Sequence, residues 1–238
     1  MKNSAILIGI ILICYSCNSG DKKTSDSVSK NNTDQVSSKA GQKSYDCLKN
    51  YQEDYSKLLT KEEMAAAYPI DFEKAKHELR SGSYGEYVYR WPSDRPSFTI
   101  EVSGMKIQNP DQNTIGIKML SFFSDKTDAQ SAAETFDMAY KQLSDEELDK
   151  IKANLDKQND EIKKTGEDMM KVRAKRSWEF VEGLGSRAWY KWDDQYGGEL
   201  AVLAGKSKFY IINKISNDPR ENLEVAKKLA EKVIVKCD

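Results

Sequence analysis

Between Asn18 and Ser44 the chain has no aromatic residue, and Val28, Val36 and Ala40 are its only aliphatic side chains. A stretch this polar cannot bury enough surface to offset the entropy of ordering it, so it is expected to be a disordered tether. As a flexible coil it would span about 30 Å between its ends. Any hydrophobic core must therefore come from Tyr45 onward. Residues 45–238 are long enough for one domain with a sizeable core.

Within that region the apolar pattern changes period several times. Thr60-Lys-Glu-Glu63 has the spacing of a capping box and opens a short helix through Met64 to Ala67, stopped before Pro69. Asp71 is placed to cap a second helix, with Phe72, Ala75 and Leu79 on one face and the Ser81-Gly82-Ser83 turn at its end. Alternation then predicts strands at Tyr87–Trp91, Phe98–Val102 and Thr114–Phe123, with a turn at Asn109-Pro110. Thr127-Asp-Ala-Gln130 reads as another capping box, leading a helix whose stripe includes Ala132, Ala133, Phe136 and Tyr140. Ser144-Asp-Glu-Glu147 opens a further helix to about residue 165, with a thin apolar line at Leu148, Ile151, Leu155 and Ile162 and Gly166 at its end. That line is either a seam for a partner helix or one edge of an exposed helix.

A three-strand meander follows over Arg187–Asp193, Glu199–Ala204 and Lys208–Ile215. Asp218-Pro219 then starts a final helix expected to bury Leu223, Ala226, Ala230, Val233 and Cys237. Strand runs flanked by helices give an α+β fold, a single domain with an antiparallel sheet of about six strands.

The N-terminus has a different character. Lys2 precedes an unbroken apolar run from Ala5 to Ile13, and Ser16 stands just before Cys17. A basic start, a short apolar core and a small residue at the junction make a secretory signal peptide. The run is about half the roughly 20 residues needed to span a bilayer. Ile11-Leu-Ile-Cys-Tyr-Ser-Cys17-Asn18 resembles the lipobox of bacterial lipoproteins. That resemblance implies removal of residues 1–16 and acylation of Cys17, with residues 17–44 as lipidated cysteine and tether. Asn18 stands where aspartate would mark inner-membrane retention, so the resemblance leans towards the outer membrane. Asp26-Ser27-Val28 resembles the O-glycosylation acceptor motif of envelope proteins in some Bacteroidota, with Ser27 as acceptor.

If Cys14 leaves with the signal and Cys17 carries lipid, the domain keeps only Cys47 and Cys237. In an oxidising compartment a pair at opposite ends of a domain is expected to form a disulfide, the alternative being two buried thiols. Cys47, Leu59-Thr-Lys-Glu-Glu63, Gly183-Leu-Gly185 and the Ala226–Ala230 helix also resemble the layout of small bacterial lipoprotein domains with no assigned activity. Loss of residues 1–16 removes one positive charge, Lys2, taking the formal net charge from −1 to −2. A balanced chain has no global attraction to nucleic acid.

Chemistry-bearing constellations are sparse. His77 is the sole histidine and lies among Lys76, Glu78 and Arg80, where a solvated side chain on a helix is expected. That leaves no zinc set, catalytic triad or phosphate-binding loop, and no cofactor is implied. Asp193, Asp194 and Glu199 gather at the Gly197-Gly198 hairpin, a carboxylate cluster of the kind a hydrolase could use and also of the kind that solvates a turn. Trp189 and Tyr196 belong to an aromatic cluster. Trp189 either faces outward beside Arg187 and Lys191 as a stacking platform, or is covered by a helix.

These features lead to the expectation of a lipid-anchored envelope protein of binding or scaffolding type, its partner an envelope protein or glycan. A hydrolase using Asp193, Asp194 and Glu199, and a glycan-binding accessory using Trp189 and Tyr196, are the competing readings.

Overall fold

A computed structural model describes residues 45–157, 159, 162–167 and 177–237. Cys17 and Ser27, the expected lipidation and glycosylation positions, lie outside them. The described residues form nine strands: β1 Lys76–Arg80, β2 Glu86–Pro92, β3 Phe98–Val102, β4 Met105–Asn109, β5 Gln112–Phe122, β6 Glu179–Phe180, β7 Arg187–Asp193, β8 Gly197–Ala204 and β9 Ser207–Lys214. Seven of them make one antiparallel sheet in the order β1-β2-β5-β9-β8-β7-β6, while β3 and β4 pair only with each other. The α+β expectation holds.

Helices cover the sheet. α1 (Tyr55–Leu58) and α2 (Lys61–Ala67) precede β1, α3 (Ala129–Tyr140) and α4 (Asp145–Leu155) follow β5, and α5 (Pro219–Ile234) closes the chain. The α2 capping box forms: Glu63 N–H donates to Thr60 Oγ1 at 3.2 Å, and Thr60 N–H donates to Glu63 Oε2 at 2.8 Å. The α3 cap is Asp128 rather than Thr127, its carboxylate accepting from Ser131 N at 2.8 Å. Ser144 and Glu147 form the box expected for α4, which has no fully buried residue. Gly166, expected to end that helix, instead sits inside a helical segment at 162–167, close against Leu155.

Period-2 alternation divides the sheet into two faces. On the first, Tyr87, Tyr89, Ile115, Ile117, Tyr190, Leu200, Val202, Phe209 and Ile211 pack beneath Leu58, Met64, Val225, Ala226 and Leu229. On the second, α3 lays Ala133, Phe136 and Tyr140 over Trp189, Ala201, Leu203 and Tyr210. α3 covers only part of that face, and the remainder carries Arg90, Thr114, Lys118, Lys191, Glu199, Ile212 and Lys214.

Two elements depart from the sequence reading. The helix expected after Asp71 is a single turn, in which Ala75 N donates to Asp71 O at 2.9 Å, followed by edge strand β1. Pairing with β2 decides this: His77 lies opposite Tyr89 with ring centroids 5.5 Å apart, and Glu78 bonds Arg90 at 2.6 Å. His77 is therefore exposed on a strand, not on a helix. The sheet also gains β1 and the two-residue β6 and leaves β3 to the separate hairpin, so it has seven strands.

Cys47 and Cys237 are joined as a disulfide, their Cα atoms 5.7 Å apart. Cys47 lies in a 3₁₀ turn, Asp46–Tyr51, and Cys237 in another, Val235–Cys237. Both pack on the first-face core. Lys236 Nζ donates to Glu63 Oε1 at 2.6 Å and ties the same corner to α2.

Candidate functional groove on the second sheet face

The uncovered part of the second face is a groove. One basin, of about 560 Å³, lies between the β3–β4 hairpin and the β7–β8 turn. A second, of about 510 Å³, lies beside Tyr140, Trp178 and Tyr210, and the two share Ser177 and Lys191.

Register assembles the floor. Lys191 on β7 lies opposite Glu199 on β8, Glu199 opposite Ile212 on β9, and Lys118 on β5 opposite Tyr210. Glu199 is thereby flanked by two ammonium groups, Lys191 Nζ at 2.9 Å and Lys118 Nζ at 3.2 Å. Burial pushes the Glu199 carboxyl up, but Lys118 and Lys191 together outweigh it and hold it below the usual carboxylate range. Immediately after Lys118 the strand bulges, with Met119 left-handed at φ 57°. Past the bulge Leu120 returns to the first-face core, its N–H donating to Tyr55 Oη at 2.7 Å.

A second ion group closes the end nearest the hairpin. Asp111 accepts from Arg95 Nη2 at 3.0 Å and from Lys214 Nζ at 2.7 Å, and all three side chains are at most 10% exposed. Burial raises the Asp111 carboxyl, and the charged hydrogen bonds from Arg95 and Lys214 pull it below its ordinary value. Arg95 also donates to Asn113 Oδ1 at 2.8 Å and Gln112 O at 2.9 Å, while its Nε has no partner among the described residues. Lys214 reaches across to Gln195 O at 2.9 Å, pinning the β7–β8 turn.

That turn gathers the expected acids, each with a structural contact. Asp193 Oδ1 accepts from Gln195 N and Tyr196 N, both at 2.8 Å, as an Asx turn does. Asp194 accepts from Trp192 Nε1 at 2.7 Å. Gly197 supplies the left-handed φ of +86° that the turn requires. A Cβ on Gly198 would fall 2.5 Å from Tyr190 Oη, so any side chain there would have to displace the buried Tyr190.

The two aromatic candidates separate. Trp189 is covered: it lies under α3 at 9% exposure, its Nε1 donating to Asp137 Oδ1 at 2.8 Å, and it does not line the groove. Tyr196 stands at the rim, 74% exposed. Trp178 occupies the other rim, with Lys191 Nζ 4.9 Å from its ring centroid and Tyr140 stacked edgewise at 4.6 Å.

Of the residues that carry the site's charge, Glu199 was a sequence candidate and Lys191 was singled out only as a neighbour of Trp189, while Arg95, Asp111, Lys118 and Lys214 were missed. Only the lysines set into apolar strands, such as Lys118 after Ile115-Gly-Ile117, hinted at them. Among the described residues there is no group of three or more His, Cys, Asp or Glu side chains suited to a metal, and no helix long and apolar enough to cross a membrane. Comparison with protein-family models, curated proteins and solved structures finds no match to this chain.

Proposed function

We propose that the chain is a lipid-anchored cell-envelope protein of the outer membrane, held through Cys17, whose domain binds a ligand or partner in the second-face groove. The observation that carries this reading is the groove floor, where each of two carboxylates, Glu199 and Asp111, is held between two cations. The buried Asp111 group fixes the end of the groove, while the Glu199 group leaves net positive charge on an open concave surface, where it is available to an incoming ligand.

The same geometry speaks against the hydrolase reading. A general acid needs a carboxyl held protonated near neutral pH. Glu199 is pulled the opposite way by Lys118 and Lys191, and Asp193 and Asp194 already accept hydrogen bonds from the turn and from Trp192. The anchor rests on the N-terminal sequence, with its apolar run from Ala5 and Ser16-Cys17 junction.

A photo-crosslinking side chain placed at Tyr196 in intact cells tests the groove, with exposed Tyr84, which does not line it, as control. Adducts are expected at Tyr196 and not at Tyr84; adducts at neither position, or equally at both, overturn the groove as the binding site. In the same cells Cys17→Ala should release the protein from the membrane fraction, and unchanged retention refutes the lipid anchor.

A further inference from the structure

We infer that the groove takes an acidic saccharide, a chain of sugar rings bearing carboxylates. This deepens the binding reading above and rests on it.

Three observations point to that chemistry. The first is charge. The two basins are lined by Arg90, Lys118, Lys191, Lys208 and Lys214 against only Asp111, Asp193 and Glu199. An ammonium has three N–H donors, and Lys118 and Lys191 each direct one at Glu199. Donors are therefore left over for a further anion beside a carboxylate that keeps the lysines in place. The second is the disposition of the two ion groups. The Asp111 group is closed off, whereas Lys118 and Lys191 flank Glu199 with side chains 27% and 38% exposed, so a carboxylate entering the groove meets that pair while the rest of the ligand lies along the groove.

The third is the rim. Tyr196 on one side and Trp178 on the other offer flat aromatic faces, and a sugar ring presents a flat C–H face suited to stacking on them. The groove also continues from one basin into the next through Ser177 and Lys191, which gives length for more than one ring. A nucleic-acid strand fits less well. It brings one phosphate per nucleotide, whereas this floor interleaves acids with its cations and has an excess of only two positive charges.

The test uses the purified full-length protein in detergent, with tryptophan fluorescence and calorimetry as readouts. The probes are trigalacturonate, the neutral maltotriose, inorganic phosphate and a short oligothymidylate. Trigalacturonate is expected to bind at least about tenfold more tightly than maltotriose, phosphate or the oligonucleotide. Its affinity should fall several-fold between about 0.05 and about 0.3 M salt. Glu199→Gln removes the competing carboxylate and should tighten trigalacturonate binding about threefold or more. Tyr196→Ala, at an exposed position, should weaken it about fivefold. Equal affinity for the acidic and neutral trimers, or stronger binding of phosphate or oligonucleotide, overturns the inference. So does a folded Glu199→Gln protein with weakened binding. If crosslinks still form from Tyr196 in that event, the ligand class falls while the groove stands as a binding site; if none form, both fall.

Discussion

Asp111 sits between Arg95 and Lys214 in a pocket where none of the three side chains is more than 10% exposed. Removing it leaves two cations out of water with no counter-ion, the arrangement in which breaking a buried ion pair costs most. Asp111→Ala is expected to lower the unfolding free energy by about 3–5 kcal/mol in urea denaturation. A change under about 1 kcal/mol would mean that the group is solvated and contributes no more than an exposed pair does. The three residues come from positions 95, 111 and 214, brought together by the hairpin base and the end of β9. Nothing in local spacing marks them, because ion pairing across such separations depends on strand register that the sequence encodes only collectively. Tyr196 was legible because a turn residue immediately before a Gly-Gly pair is seldom covered. Trp189 was not, because only the position of α3 decides whether that face is wet.

At the level of elements, Asn222 shows how α5 is locked to the sheet. It is fully buried; its Oδ1 accepts from Ile215 N at 2.9 Å, its Nδ2 donates to Asp218 O at 2.7 Å, and its backbone carbonyl accepts from Asn213 Nδ2 at 2.6 Å. Asn222→Ala strands Ile215 N–H and should destabilise the fold by about 1–3 kcal/mol, read as a lower midpoint in thermal melting. An unchanged midpoint would show that water replaces the side chain. Of the expected stripe, Ala226, Ala230 and Val233 are buried and Leu223 and Cys237 pack partly buried against the same core, but the buried face is wider. The helix buries Val225 and Leu229 along with Ala226, Ala230 and Val233, and a polar residue, Asn222, takes a core place. Hydrophobic period identified the helix but could not see that its first turn also caps a strand. The same limit applies to β1, where Lys76-His-Glu-Leu-Arg80 fits one helical face and one edge strand equally well until β2 is present to pair with it. The meander β7–β9 and helix α3 were legible because turn residues and long periodic runs agree there.

For the whole molecule, the disulfide closes a loop of 190 residues. In the chain-entropy model such a link stabilises by about 5 kcal/mol, less any native strain. Reduction, or Cys47→Ser with Cys237→Ser, should leave the sheet intact, since the core beneath α5 does not depend on the sulfurs, but should shift the urea midpoint down by a corresponding amount. Identical denaturation curves with and without reductant would show that the bond contributes nothing. The covalent corner also fixes how the domain bears mechanical load. A pull arriving along the chain at Tyr45 passes within two residues to Cys47, and from there into both the first 3₁₀ turn and the end of α5, with Lys236–Glu63 sharing it into α2. Tension from the N-terminal side is thus spread over three elements at one corner of the first-face core instead of peeling a single turn from the domain. The groove, on the opposite face of the sheet, lies outside that load path, so force entering at Tyr45 can reach the first-face corner without deforming the Lys118–Glu199–Lys191 floor.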